Sequence, residues 1–116
     1  MTNKVSLDAV AREQGHRATT SGHGRSAATV FGGHEHALRQ TVIALTAGSA
    51  LAEHANPGEA TVHVLRGRVR LVAGDLAWEG RAGDLLIVPD ARHRLEALED
   101  AAVLLTALPR GGPRPP

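Results

Sequence analysis

Short apolar runs recur at close, regular intervals from Leu38 to Leu108, each closed by Gly, Pro or Asp. They read LRQTVIAL, ATVHVL, RVRLV, LAWE, DLLIVP, HRLEAL and AAVLLTAL. Val, Ile, Leu and Thr dominate them, and short β-rich runs set between turn residues predict the antiparallel strands of an all-β sandwich or barrel. No segment of this span sustains a helical period, which argues against alternating strand and helix units and so against a parallel sheet. Within RVRLV, Val69 and Val72 bracket Arg70 and Leu71 with imperfect alternation, and Ala73-Gly74-Asp75 ahead of LAWE predicts a hairpin turn. A second hairpin is expected to close at Leu98-Glu99-Asp100.

The flanks differ in texture. SLDAVAREQ, from Ser6 to Gln14, has a Ser cap, an early Asp and Gly15 as a stop, the pattern of a short amphipathic helix. His16 to Gly33 is rich in Gly, Ser, Thr, Arg and His, its apolar content limited to Ala27, Ala28, Val30 and Phe31, and reads as a mobile connector with room for one strand. The tail PRGGPRPP has Pro or Gly in six of its eight positions and is expected to be disordered. The expected organisation is an N-terminal helix and connector over 1–33, a barrel over 34–108 and a tail over 109–116.

A chain of 116 residues supports one core. Lys and Arg total 13 against 12 acidic residues, so the formal charge of +1 lacks the basic footprint of a nucleic-acid binder. The absence of Cys excludes disulfides, thiolate metal sites and cysteine nucleophiles, and fits a reducing cytoplasm. No apolar run approaches a membrane span, and no basic segment leads into an apolar stretch at the N-terminus, so a cytoplasmic protein without membrane partners is expected. With one Trp, one Phe and no Tyr, the core must be filled by Val, Leu, Ile and Ala.

Two stretches carry candidate chemistry. Gly48 to Gly67, GSALAEHANPGEATVHVLRG, sets His54 ahead of a Pro57-Gly58 turn and an apolar strand ending in Gly. Gly83 to His93, GDLLIVPDARH, opens on Gly83-Asp84 and brings a His shortly after Pro89. In this order they resemble the two motifs of the cupin superfamily, whose members are small double-sheet antiparallel β-barrels of jelly-roll type. The resemblance covers Leu38 to about Leu108. It implies a fold but no single function, because this barrel serves dioxygenases, isomerases, epimerases, storage proteins and sensor domains.

In the family pattern the first motif supplies His-x-His and a later Glu, the second supplies a His, and together they hold a divalent metal. Aligned on Val64-Leu65-Arg66-Gly67, His54 takes the first His position, Asn56 the second and Ala60 that of the Glu, while His93 matches the His of the second motif. Two of the four ligands remain. An open catalytic site needs three protein ligands, and two imidazoles alone hold an ion weakly. Asn56 shares a strand face with His54 but offers only a neutral oxygen. Glu59 sits beside the Pro57-Gly58 turn, where a break in alternation would swing a carboxylate inward. His63 is chemically the best replacement, yet alternation from Ala60 puts it on the opposite face, and only a bulge or a slip of one residue brings it inside. The candidate metal residues are therefore His54, His93 and His63, for Zn, Fe, Mn or Ni or for no ion at all. Asn56, Glu59, Val62, Val64, Leu86 and Val88 are the candidate pocket residues.

Each assignment has a plain counterpart. His54 and His93 also suit polar positions at a barrel mouth that hydrogen-bond loop carbonyls, and Glu59 suits solvated surface. The His34-Glu35-His36 triplet follows Gly32-Gly33, has no Glu or Val-Leu-x-Gly at motif distance, and reads as an exposed loop. Arg66, Arg68 and Arg70 alternate as on one charged strand face that blocks edge pairing. No nucleophile elbow or phosphate loop is present. The expected function is a small-molecule-binding or sensing cupin with an incomplete or weak divalent site. The alternative is a metal-dependent oxygenase or isomerase acting on a small organic substrate, and a third reading is a ligand-free structural dimer. A homodimer is implied by the resemblance, since such barrels often pair across edge strands.

Overall fold

The computed structural model describes residues 3–54 and 58–109, with positions 53 and 54 given by their backbone alone. The candidate Asn56 and the tail from 110 onward lie outside the described residues.

Helix α1 (Leu7–Thr20) begins where expected, with Ser6 Oγ accepting the Ala9 N–H at 3.2 Å. It does not stop at Gly15. Ala11, Gln14 and Ala18 form a buried stripe that continues beyond that residue, and this contact with the sheet outweighs the cost of about 1 kcal/mol for a glycine inside a helix. Gln14 also accepts a hydrogen bond from Ser26 Oγ. Part of the expected connector is strand β1 (Arg25–Phe31), which pairs with β2 (Arg39–Leu45). The remaining strands are β3 (Ala50–His54), β4 (Gly58–Arg66), β5 (Arg68–Ala73), β6 (Leu76–Arg81), β7 (Leu85–Ile87), β8 (His93–Ala97) and β9 (Ala101–Pro109).

They form two antiparallel sheets, one of order β1-β2-β9-β4-β7 and the other β3-β8-β5-β6. Alternation along each strand sends one set of side chains between the sheets. Ile43, Leu45, Val62, Val64 and Val103 come from the first sheet and Val69, Leu71, Leu95 and Ala97 from the second. On the outer side of the larger sheet, Val42, Ala102 and Leu104 pack with Ala11 of α1. No helix among the described residues is long and apolar enough to cross a membrane.

Gly67 is the single residue between β4 and β5, which belong to different sheets. Its φ of 73° is left-handed, and a Cβ there would strike the Asp100 carbonyl and come within 2.9 Å of the Ala101 Cα. This corner divides the expected arginine stripe. Arg66 ends β4 and pairs with Asp8 of α1 at 2.6 Å, whereas Arg68 and Arg70 belong to the second sheet. The Arg66 guanidinium also holds the Asp8 carboxyl below its ordinary pKa.

The Gly74-Asp75 hairpin forms as expected, with Ala73 opposite Leu76 and Gly74 at φ 58°. Leu98-Glu99-Asp100 is instead a crossover. β8 pairs with β3 and β5, β9 pairs with β2 and β4, and the Leu98 and Glu99 N–H groups both donate to the Arg68 carbonyl, at 2.9 and 3.2 Å. The alternation in RVRLV also resolves: Val69 and Leu71 are buried, while Val72 shares the outer face with Arg70.

On that outer face Glu96 of β8 joins its neighbours. It accepts from Arg70 Nε at 2.9 Å across the ladder and from Arg94 Nε at 2.8 Å. These two bonds, that from Arg94 foremost, lower the Glu96 pKa from its ordinary value of 4.5.

Two outcomes follow. Gly67→Ala must adopt a left-handed backbone and displace the Asp100–Ala101 segment, so it costs at least about 2 kcal/mol, read as a lower urea midpoint with unchanged slope. Glu96→Gln costs about 0.5–1 kcal/mol at neutral pH, because its partners are partly solvated. Since the native pKa is depressed, the glutamate's contribution is present above 4.5 and is lost as pH falls through the lower native value. Acid titration of unfolding should therefore show the difference between wild type and Glu96→Gln vanishing below that window.

Candidate functional site

His93 opens β8, and its position is prepared by the turn before it. The Ala91 N–H donates to the Pro89 carbonyl at 2.9 Å, and the Ala91 carbonyl then lies 3.0 Å from His93 Nδ1. A carbonyl only accepts, so in this bond Nδ1 is the donor and carries a proton. The residue is 7% exposed and follows the inward register of Leu95 and Ala97. Its Pro-x-Ala-x-His setting thus holds one imidazole in a fixed orientation inside the barrel.

Across the ladder stands position 54. Ala50 pairs with Glu96 and Leu51 with Leu95, so unbroken pairing would bring Glu53 opposite His93. The pairing is broken: the register shifts between Leu51 and His54, one extra residue enters β3, and His54 becomes the partner of His93. Directly opposed positions of an antiparallel pair have Cα atoms about 4.5–5.5 Å apart. Two backbone positions that are 39 residues distant in sequence are thereby brought together.

The bulge that His63 needs is absent from its part of β4. That strand keeps unbroken register with β9 from Gly58 to Val64, and its irregularity falls later, between Val64 and Arg66. Val62 and Val64 are buried in the inter-sheet core, so His63, between them, lies on the outer face opposite Leu104 and Leu85. Glu59 is exposed on the same outer side, and Ala60 packs inward against the core. The structure therefore separates His63 and Glu59 from His93, and the reason is the two-residue period of an undisturbed strand. Among the described residues no three His, Asp or Glu side chains converge as a metal site would require. The described donors, which leave out the His54 side chain, do not by themselves make up a three-ligand divalent centre.

Beside His93 lies a hollow of about 30 Å³. Ile43, Val62, Val103 and Leu105 line it from the larger sheet, Leu51, Leu71 and Leu95 from the smaller, and Val88 from just beyond β7. Of the expected pocket residues, Val62 and Val88 reach it, while Val64 and Leu86 are buried elsewhere in the same core. Ile43, Leu71, Leu95, Val103 and Leu105 carry a sequence signal, since each keeps parity with a buried neighbour on its own strand. Which strands face one another, however, is not written in any single run. The His34-Glu35-His36 loop is exposed as expected, with His36 placed against the Phe31 ring at 4.7 Å between centroids.

No protein-family model matches the chain, and no curated protein does. Solved structures do. A conserved protein of unknown function from Streptococcus pyogenes is similar over 97% of this chain and 92% of its own, with a TM-score of 0.74 and 21% identity. An RmlC-like cupin from Shewanella frigidimarina is similar over 78% of this chain and 80% of its own, with a TM-score of 0.67 and 20% identity. A cupin superfamily protein from Desulfitobacterium hafniense is similar over 72% and 76% respectively, with a TM-score of 0.66 and 15% identity. The fold of this chain is that of the cupin superfamily.

Proposed function

We propose that the protein is a small-molecule-binding or sensing cupin whose barrel interior holds a divalent metal weakly or not at all. The observation that carries this reading is His93, a buried imidazole oriented by the Ala91 carbonyl, beside an aliphatic hollow and across the ladder from position 54. An oriented polar group at an apolar cavity is the usual composition of a ligand site. The enzyme alternative requires a third protein ligand, and the two replacements, His63 and Glu59, stand on the outer face of β4. The homodimer belongs to the same reading. β7 is an edge strand whose Leu85 and Ile87 are 57% and 62% exposed, a surface suited to pairing with a second barrel.

Untagged protein loaded with Zn and then desalted should retain well under one equivalent by elemental analysis, and His63→Ala and Glu59→Gln should not change that. Ala60→Glu, which adds a carboxylate to the inward face of β4, should raise Zn affinity at least tenfold, about 1.4 kcal/mol. Stoichiometric retention by the wild type that disappears in His63→Ala would overturn the reading. Light scattering should show a dimer that Ile87→Lys converts to monomer, and a wild type that is monomeric at every concentration would remove the dimer.

A further inference from the structure

Outside the barrel, a cleft of about 350 Å³ opens between one flank of α1 and the corner where β9 begins. Arg12, Gly15 and His16 line it from the helix, and Arg66, Asp100 and Ala102 from the sheet and its corner. Pockets for small organic molecules begin at about this size. The middle of the cleft is kept open by Gly15. A glycine inside a helix is less stable than an alanine, and close packing is the usual physical reason to keep one. Here packing does not require it: Gly15 is half-buried in the middle of α1, yet a Cβ on it would meet no atom of the sheet within 4 Å.

The charges of the walls point to an anion. Asp8, one turn before Arg12, accepts one N–H from Arg12 Nη1 at 3.2 Å and one from Arg66 Nη2 at 2.6 Å. A guanidinium carries five N–H groups and can hold a carboxylate by itself, so two such forks share one carboxylate here. Their pull, that of Arg66 foremost, keeps the Asp8 carboxyl below its ordinary pKa, the direction expected where negative charge is favoured. Asp100 stands on the opposite account. Its Oδ1 accepts the Ala47 N–H at 2.8 Å, which fixes a negative charge on the sheet wall. Ala11, Leu45, Ala101 and Ala102 add an apolar floor.

We propose that this cleft binds a small monocarboxylate, its headgroup held by Arg12 and Arg66 and its short apolar chain laid across Gly15 onto the alanines. One negative charge is favoured over two because Asp100 repels a second carboxylate in the same space. The site lies on the other side of the larger sheet from His93 and does not depend on what the barrel interior takes.

Hexanoate, hexanamide, hexylammonium and adipate, four probes of nearly one length, are titrated into the full chain at fixed ionic strength while the amide resonances of Ala11, Gly15, Ala101 and Ala102 are followed by NMR. Hexanoate should give saturable shifts at these amides, with affinity at least fivefold above each of the other three. Arg12→Gln should weaken it at least fivefold, whereas Asp8→Asn, which removes the competing carboxylate, should tighten it, an effect that a purely structural ion pair would not produce. Gly15→Ala should raise the thermal midpoint by about 4 °C, and Gly15→Leu should abolish hexanoate binding in a chain that remains folded. Hexanamide or hexylammonium binding as tightly as hexanoate, or hexanoate binding that Arg12→Gln and Gly15→Leu both leave unchanged, would overturn the site. Adipate binding as tightly as hexanoate would overturn the preference for a single charge, and the absence of any hexanoate shift at millimolar concentration would overturn the proposal as a whole.

Discussion

Two sheets whose inner faces are almost wholly Val, Leu, Ile and Ala must close on each other to remove those side chains from water, and the rest of the molecule depends on that closure. Each fully buried aliphatic side chain is worth about 1.5–3 kcal/mol, so the inter-sheet core outweighs any surface ion pair. Aliphatic side chains of this size interdigitate closely. The interior therefore retains a hollow of only about 30 Å³, close to His93.

Closure also fixes the corners. The chain passes from one sheet to the other at Gly67 and again at Leu98-Glu99-Asp100, and these corners touch, since a side chain on Gly67 would collide with Asp100 and Ala101. The helix occupies the outer face of the larger sheet, held by its buried stripe and by Asp8 against Arg66. Both devices leave the His93 end of the barrel uncovered by α1, which packs on β1, β2, β9 and β4.

The chemistry of the site is a matter of parity. One inserted residue in β3 makes His54 rather than Glu53 the partner of His93, while the absence of an insertion between Gly58 and Val64 keeps Glu59 and His63 outside. Shifting either register by one residue would exchange every side chain between core and solvent beyond that point. Which donors face the inter-sheet hollow and which face outward is thus set by single-residue decisions on two strands.

The strand runs, the Gly74-Asp75 hairpin, the Ser6 cap and the two motif stretches were legible in the sequence because each is a local signal: alternation, turn chemistry or a hydrogen bond within a few residues. Of the four expected pocket walls, Val62 and Val88 line the hollow, whereas Val64 and Leu86, each of the same parity as one of them, lie elsewhere in the core. Only the folded structure decided that α1 runs past Gly15, that Ala50–His54 forms a strand despite its alanines, and that the Leu98–Asp100 turn joins different sheets. It also decided on which strand a bulge falls. These outcomes depend on partners distant in the chain, and a strand's register is set by the surface it must bury, which no short window contains.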